Sequence, residues 1–256
     1  MEKNLLLVCL LLSTSVAFTA CAQIKGEGSV VTKTLKVKDF DGVALKGSFN
    51  VEVNEGANSL VAKGHGNIID RLETEVKDGV LILELGRGNY RDFELTVIVT
   101  TKMLEKVKVA GSGNIQLGTF SGLNNLDVSV AGSGDLKSTG MLKMSGDCQA
   151  SIAGSGDISI RVEVKKLDVN IAGRGNVKVS GSAEEQEISI TGSGDYRGSK
   201  LSSKTADISI SGSGDVKVDV SNKLDVSIAG SGNVTYSGAP SVDSKVKGSG
   251  DVRQAK

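Results

Sequence analysis

The chain has 256 residues, and its 30 lysine and arginine residues balance its 30 aspartate and glutamate residues. A net charge of zero argues against a nucleic-acid-binding protein, which would carry a basic surface, and no nucleic-acid partner is expected. Glycine occurs 33 times, proline once and tryptophan never. The sequence therefore offers no tryptophan platform on which a sugar ring could stack.

The first 22 residues are predicted to be a signal peptide rather than part of the fold. Lys3 provides a positively charged N-terminal region, and Leu5 to Leu12 form an apolar run. Val16 to Ala22 are mostly small residues of the kind found at a signal-peptide cleavage site. Such a pattern is typical of an export signal. Its apolar run is too short to span a hydrocarbon core of about 30 Å as a permanent helix. We therefore expect the mature protein to be exported from the cytoplasm.

Two cleavage sites compete at the end of this segment. Ala20-Cys21-Ala22 fits the small-x-small rule and would leave a mature chain that starts at Gln23. Phe18-Thr19-Ala20-Cys21 resembles a bacterial lipobox and would leave Cys21 as a lipid anchor, which would be the chain's contact with a membrane. The sequence favours the second site and leaves the first open.

Residues 23–106 are predicted to form an irregular N-terminal cap. Strands are expected at Val30–Val37, Val80–Leu85 and Phe93–Thr100. Gly47-Ser48-Phe49-Asn50 and Gly64-His65-Gly66-Asn67 are interpreted as degenerate copies of a motif that dominates the rest of the chain. Terminal repeats of a solenoid are atypical because they cover an exposed end of the core.

From residue 111 onward the motif Gly-Ser-Gly-Asp/Asn occurs seven times and once more with Arg174 in place of the serine, and the first glycines of these eight copies are 18 to 22 residues apart. A fixed period of this length indicates a solenoid. The glycines are interpreted as a structural turn ladder, at a bend where no inward Cβ fits. They are Gly111 and Gly113, Gly132 and Gly134, Gly154 and Gly156, Gly173 and Gly175, Gly192 and Gly194, Gly212 and Gly214, Gly230 and Gly232, and Gly248 and Gly250.

Apolar residues recur in phase around this motif. In the copy at Gly154 they are Ala150, Ile152 and Ile158, and polar residues stand between them. A period of two predicts strands with one buried face. Identical residues at identical phase favour stacked turns over a sandwich of hairpins. We therefore predict an all-β fold, a parallel β-helix with turns of about 20 residues, in which the eight copies give a rod on the order of 40 Å.

The repeated segment, "LDVSVAGSGD" at 126–135 and "LDVSIAGSGN" at 224–233, preceded by "GSFNVEV" and "VKDGVLIL", resembles the bacterial head GIN domain family of auto-transporter adhesins. The likeness spans residues 40–234. It implies a right-handed parallel β-helix and often a lipid anchor, and it supplies no catalytic residue. It also implies that the exported protein is located at the bacterial outer membrane, at the cell surface or in the periplasm. With it the chain divides into the signal peptide at 1–22, an N-terminal strand or cap at 23–39, and a head GIN-like domain at 40–256.

An outward Asp/Asn column is the first candidate site, and hydrogen bonds within each residue's own turn are its expected role. Carboxylates about 4.8 Å apart would repel by about 0.9 kcal/mol in water. Asparagine at three positions and a basic residue two positions onward in five turns would ease this repulsion. No metal or other cofactor is expected. The Asp/Asn column consists of Asn114, Asp135, Asp157, Asn176, Asp195, Asp215, Asn233 and Asp251.

A second acidic column lies five residues before the first glycine, with serines two positions onward. No histidine occurs in these turns to activate a serine, so a solvated polar face is expected. The single cysteine outside the signal peptide, Cys148, is expected to be a buried hydrophobe. The second acidic column consists of Asp127, Asp168, Glu187, Asp207, Asp225 and Asp243.

These patterns favour a non-enzymatic cell-envelope module, an adhesin that binds a glycan or a protein through its repetitive surface. The alternative is a polysaccharide-processing enzyme of the β-helix lyase or hydrolase type. Its candidate residues would lie in the irregular region, at His65, Arg71, Arg87 and Arg91. The sequence identifies neither the ligand nor the oligomeric state.

Overall fold

The computed structural model describes residues 23–255, and the predicted signal peptide with Cys21 lies outside them. The described chain is 73% strand and 2% helix, and it forms a β-solenoid of about seven turns with a spacing of roughly 20 residues. The prediction of an all-β solenoid is therefore confirmed.

The N-terminal region contains nine strands and one short helix. They are β1 (Gln23–Lys25), β2 (Val30–Leu35), β3 (Gly42–Gly47), β4 (Asn50–Glu55), β5 (Ser59–His65), α1 (Gly66–Ile69), β6 (Leu72–Lys77), β7 (Val80–Leu85), β8 (Asn89–Arg91) and β9 (Leu95–Thr101).

The repeat region begins with shorter strands and then joins them into longer ones. They are β10 (Lys106–Gly111), β11 (Asn114–Leu117), β12 (Phe120–Leu123), β13 (Leu126–Gly132), β14 (Leu136–Met144), β15 (Asp147–Gly154), β16 (Ile158–Gly173), β17 (Val177–Gly192), β18 (Tyr196–Gly212), β19 (Val216–Gly230), β20 (Asn233–Ser237), β21 (Ser241–Gly248) and β22 (Asp251–Gln254).

Each turn contributes to three sheet faces. Face A contains the segments that lead into the first glycine, such as β10 and β13. Face B contains the segments that leave the motif, such as β11 and the start of β14. Face C contains the return segments, such as β12 and the end of β14. Throughout the repeat region each segment pairs in parallel with its equivalent in the next turn, and glycine lies beside glycine.

The predicted apolar columns form the core. Val128, Ala150 and Val169 are paired neighbours on face A and are fully buried. Of the two tyrosines in the repeat region, Tyr196 is fully buried and Tyr236 is half-buried. Similar apolar side chains of successive turns stack on one another, which produces a continuous core along the rod.

One polar chain crosses this core. The Tyr196 hydroxyl donates to Gln186 Oε1 at 2.6 Å, and Gln186 Nε2 donates to Ser203 Oγ at 2.7 Å. Ser203 Oγ in turn donates to the Asp219 carbonyl at 2.9 Å. Burial raises the pKa of Tyr196, so the hydroxyl stays protonated and remains a donor. Every buried side-chain polar atom among residues 23–255 has a partner, as a low-dielectric interior requires.

The N-terminal end is closed by reversal of the chain. β2 and β5 pair antiparallel, as do β5 and β9, and β6 pairs antiparallel with β7. The helix α1 places Ile68 and Ile69 over the end of the core, and both are buried. The predicted irregular cap thus has a definite architecture.

The two degenerate motifs of the cap have different outcomes. Gly47 and Asn50 stack beside Gly111 and Asn114, so the first copy is a true motif. The prediction for Gly64-His65-Gly66-Asn67 was wrong, because this segment ends the antiparallel strand β5 and begins α1. Its first glycine is required there because a Cβ would overlap the Glu94 carbonyl.

Predicted strands of the cap are found with small shifts of their ends. Val80–Leu85 is reproduced as β7. The strand expected at Val30–Val37 ends at Leu35, and the one expected at Phe93–Thr100 runs from Leu95 to Thr101.

We predict that Gly156→Val destabilises the fold by about 2 kcal/mol or more, because overpacking a filled position costs this much. A Cβ on Gly156 would overlap the Gly134 carbonyl oxygen and lie 2.8 Å from Val130 Cγ1. The matched control is Ser155→Ala, one residue away and exposed, which should change stability little. Urea unfolding followed by circular dichroism measures both. Equal midpoints for the two variants would contradict the role of the glycine.

Candidate binding surface

The corner between faces A and B is a network of backbone hydrogen bonds between turns. The Gly132 carbonyl accepts from the amides of Ser155 at 2.9 Å and Gly156 at 3.1 Å. On the other side, the Ile158 amide donates to the Asn176 carbonyl at 2.9 Å. Each corner is therefore bonded both to the turn before it and to the turn after it.

The two glycines of the motif have different physical roles. Gly154 has φ of +135°, a conformation that L side chains rarely adopt. Gly156 is buried, and a Cβ there would enter the core beside Val130. Both glycines meet a packing requirement, since a Cβ on Gly154 would overlap the Gly132 carbonyl oxygen, and Gly154 meets a conformational requirement in addition.

The Asp/Asn column forms a ladder that links successive turns. The Asp157 amide donates to Asp135 Oδ1 at 3.1 Å, and the Asn176 amide donates to Asp157 Oδ1 at 2.8 Å. The same contact joins Asp215 to Asp195 at 3.1 Å. The expectation that these side chains bond within their own turns was wrong. Five of them, Asn114, Asp135, Asp157, Asp195 and Asp215, accept the backbone amide of the equivalent residue in the next turn.

The charge of this ladder is balanced on face B. The predicted basic residues lie in one column two positions onward, and Arg197 Nη2 is 3.1 Å from Asp195 Oδ2. Among residues 23–255, no group of three or more histidine, cysteine, aspartate or glutamate side chains is placed to hold a metal ion. The basic column of face B consists of Lys137, Lys178, Arg197, Lys217 and Arg253.

Face A carries the second acidic column beside small side chains. Asp207 and Asp225 are adjacent in register, and Ser209 lies beside Ser227 on the same outward surface. Asp168 is half-buried, and burial followed by repulsion from Glu187 raises its pKa. The structure thus brings the predicted acids and serines together as two parallel rows on one flat sheet.

A groove of about 500 Å³ lies where the chain passes from face C to face A. Its lining includes Asp127, Asp147, Lys166 and Asp168, so carboxylates and an ammonium group meet there. Cys148 lies beneath it and is fully buried, and burial raises the pKa of its thiol to about 12. A protonated, inaccessible thiol is a poor nucleophile, in agreement with the predicted structural role.

The residues of the enzymatic alternative lie in the cap. His65 Nδ1 accepts the Glu94 amide at 3.0 Å, which ties β5 to the start of β9. Arg91 Nε lies 3.3 Å from Asp92 and lines a groove of about 410 Å³ with Tyr90 and Glu94. The Arg71 carbonyl accepts the Gly86 amide at 2.9 Å. His65 and Arg71 thus have structural contacts through atoms that the sequence analysis did not consider.

Sequence reasoning missed two features of the surface and the core. The buried Gln186 occupies a column that holds Leu167 in the turn before it, and only the polar neighbours explain it. The last turn exposes Val242 and Val246 although their positions are apolar core positions elsewhere. The break in the column at Ser244 was the signal that could have indicated an unusual last turn.

Comparison with known proteins gives a family and a fold. Residues 39–240 match the family model described as "Putative auto-transporter adhesin, head GIN domain". No curated protein sequence matches the chain. The helical content of residues 23–255 is one short helix, and no helix there has the length and apolar character to cross a membrane.

Several solved structures share this fold. A Parabacteroides distasonis ATCC 8503 protein described as "Putative lipid binding protein" is 26% identical, with a TM-score of 0.86 over 92% of this chain and 100% of that one. A "putative adhesin" from the same organism is 22% identical, with a TM-score of 0.84 over 91% and 100%. A Parabacteroides merdae ATCC 43184 "putative adhesin" is 23% identical, with a TM-score of 0.84 over 91% and 99%.

We predict that Asp157→Ala lowers the free energy of unfolding by about 1 kcal/mol, the usual net value of a hydrogen bond. The change removes the acceptor for the backbone amide and the side-chain amide of Asn176. Asp157→Asn is the matched control, since it keeps an oxygen at Oδ1 and should cost less than half as much. Urea denaturation tests the pair. An equal loss in both variants would show that charge matters and the hydrogen bond does not.

Proposed function

Since the chain belongs to the family described as "Putative auto-transporter adhesin, head GIN domain", we propose that it is a non-enzymatic module of the bacterial cell envelope. It binds its partner, a glycan or a protein surface, through the repetitive outer surface of the solenoid. The observation that carries the proposal is the repetition of one outward pattern on consecutive, hydrogen-bonded turns.

Face A is the surface that best suits this task. Its acids at 168, 187, 207, 225 and 243 occupy five consecutive turns in strict register. Small serine and alanine side chains beside them leave the sheet flat, as at Ser227 and Ala229. A row of equivalent groups about 4.8 Å apart suits a partner that is itself repetitive. Many weak contacts acting together then produce avidity.

Rigidity supports the same function. The ladder at the corner and the filled core hold the outward residues of face A in one geometry. A preorganised surface loses less conformational entropy on binding than a flexible one. The acids of face A carry little structural load, because ion pairs such as Lys166 with Glu187 at 2.7 Å are largely exposed and contribute little to stability.

Export and anchoring complete the proposal. The signal peptide at residues 1–22 would bring the chain across the inner membrane, and acylation of Cys21 would hold it at an envelope membrane. A single acyl chain gives marginal attachment, whereas a diacylated cysteine provides the two chains that stable anchoring needs. Plain secretion from Gln23 is the alternative.

We predict that the chain isolated from an expressing bacterium starts at a diacylated Cys21. Mass spectrometry of the intact protein and of its N-terminal peptide measures this directly. Cys21→Ser should abolish acylation and release the protein from the membrane fraction. A mature start at Gln23 without lipid in the wild-type chain would disprove the anchor and leave secretion.

We predict that face A carries ligand binding, tested on a glycan array and on isolated envelope fractions. Neutralising four acids together (Asp168→Asn, Glu187→Gln, Asp207→Asn and Asp225→Asn) should weaken any interaction found by about tenfold or more, while each single change has a small effect. The matched control neutralises four cations of face B instead (Lys137→Gln, Lys178→Gln, Lys217→Gln and Arg253→Gln) and should leave binding unchanged.

Two outcomes of this experiment would contradict the proposal. Equal losses in both quadruple variants would remove the assignment to face A. Turnover of a bound glycan that disappears in His65→Ala or Arg91→Ala would establish the polysaccharide-processing enzyme in place of the binding module. Binding without turnover supports the proposal.

A further inference from the structure

The two ends of the solenoid differ. At the N-terminal end, antiparallel strands and α1 cover the core, and Ile68 is fully buried. At the other end, β21 is hydrogen-bonded only to β19 within residues 23–255. Its outer edge therefore presents backbone amides and carbonyls that can pair with another strand.

The last turn also leaves core positions uncovered. Val242 lies beside Leu224, and Val246 lies beside Ile228. Leu224 and Ile228 are buried, whereas Val242 and Val246 are 38% and 40% exposed. Two apolar side chains thus stand at the open end of the core, next to an unpaired strand edge.

The outward residues of this strand change as well. Where β19 has Ser227 and Ala229, β21 has Lys245 and Lys247. Lysine on an edge commonly discourages pairing with other chains. Here, however, Asp243 keeps the acid of its column, so that opposite charges stand two residues apart on one side of the strand. This order makes the strand complementary to itself when the second copy runs in the opposite direction.

We propose that two copies of the chain join end to end through an antiparallel β21 pair, with the two-fold axis at Ser244. In this register Asp243 of each copy lies opposite Lys245 of the other, and Val242 lies opposite Val246. Opposite-charge and apolar cross-strand pairs both stabilise antiparallel strands. A two-fold contact of this kind is isologous and closes as a dimer.

Neighbouring registers that keep the same faces inward are less favourable. A shift of two residues in one direction places Asp243 opposite its own equivalent. The same shift in the other direction places Lys245 opposite its own equivalent. Like charges directly opposite destabilise a strand pair. The register centred on Ser244 avoids both contacts and also pairs the two exposed valines.

A second arrangement is head-to-tail, with β21 against the β6 edge of the next copy. There Glu73, Glu75 and Lys77 could face Lys247, Lys245 and Asp243 of the neighbour. Such a contact repeats without closing and produces open chains. We favour the closed dimer because the N-terminal end is already covered by α1, whereas the C-terminal end leaves its core positions exposed.

The dimer deepens the proposed function and rests on it for its biological meaning. It places the two N-terminal ends at opposite ends of a rod of double length. If each copy is anchored through Cys21, the contact joins two opposing membrane surfaces. A second copy of the same chain would then be one partner of the adhesin, in addition to the ligand of face A.

Sedimentation velocity of the full chain over a concentration series tests the contact. We expect a concentration-dependent dimer. Lys245→Glu should raise its dissociation constant by about tenfold or more, because two attractive pairs become two repulsive pairs. The exchange Asp243→Lys with Lys245→Asp should restore the dimer, since it restores complementarity across the two-fold axis. Lys217→Glu, a change of equal charge on face B, is the matched control and should have no effect.

The variant that combines Asp243→Lys with Lys245→Asp also distinguishes the two-fold dimer from the head-to-tail arrangement. In the head-to-tail arrangement it would place like charges opposite each other on β21 and β6 and so weaken the contact. A wild-type chain that stays monomeric throughout the series would overturn the proposal. So would species that grow beyond dimers, or a dimer that Lys245→Glu leaves intact. The array experiment on face A is independent of these outcomes, so either idea can fail alone.

A cysteine cross-link measures the register. In the proposed dimer Ser244→Cys lies opposite itself, at a Cα separation of about 5 Å that a disulfide can bridge. Mild oxidation of this variant should therefore produce a covalent dimer. Ser227→Cys, at an exposed position on β19, is the control and should cross-link much less. Equal cross-linking of the two variants would contradict the register.

Discussion

The structure depends on how closely successive turns approach one another at the glycine corner. The Gly132 carbonyl accepts two amides from the next turn. The turns can approach this closely because Gly154 and Gly156 lack side chains, which would overlap the carbonyl oxygens of Gly132 and Gly134. The corner fixes the register of face A: the pairs β10 with β13, β13 with β15 and β19 with β21 contain no irregularity. Variation in repeat length is absorbed elsewhere, at register shifts such as the one between Lys178 and Ser180.

The Asp/Asn ladder solves an electrostatic and a backbone problem together. At five bends the backbone amide of the Asp or Asn donates to the side-chain oxygen of the equivalent residue in the preceding turn, as Asn176 does to Asp157. Either residue can serve, because asparagine offers the same Oδ1 acceptor without the charge. Repulsion along the column is then limited by the asparagines and by the basic column of face B, where Arg197 contacts Asp195.

The sequence predicted the solenoid because its evidence is local and repeated: each turn shows the same apolar phase around the same motif. It failed where the decisive neighbour is distant and unrepeated. Gly64-His65-Gly66-Asn67 has the composition of a motif, yet its surroundings are set by Glu94 on an antiparallel strand. Likewise, the sequence placed the Asp/Asn column outside but could not reveal that its acceptors serve amides about 20 residues away. The buried position of Gln186 was missed for the same reason, because its hydrogen-bond partners Tyr196 and Ser203 lie in the next turn.

The Asp/Asn ladder has a structural role that the acids of face A lack, and this difference identifies face A as the surface that is free to bind a partner. Residues of the Asp/Asn ladder are committed to the backbone of the next turn, so substituting them changes the scaffold. Among residues 23–255 the acids of face A accept no backbone amide from a neighbouring turn, and the ion pair of Lys223 with Asp225 at 2.5 Å lies at the surface, with the lysine exposed and the aspartate half-buried. Side chains without a structural role can change with little cost in stability. A solenoid of this kind can therefore keep its corner constant while face A is adapted to different partners.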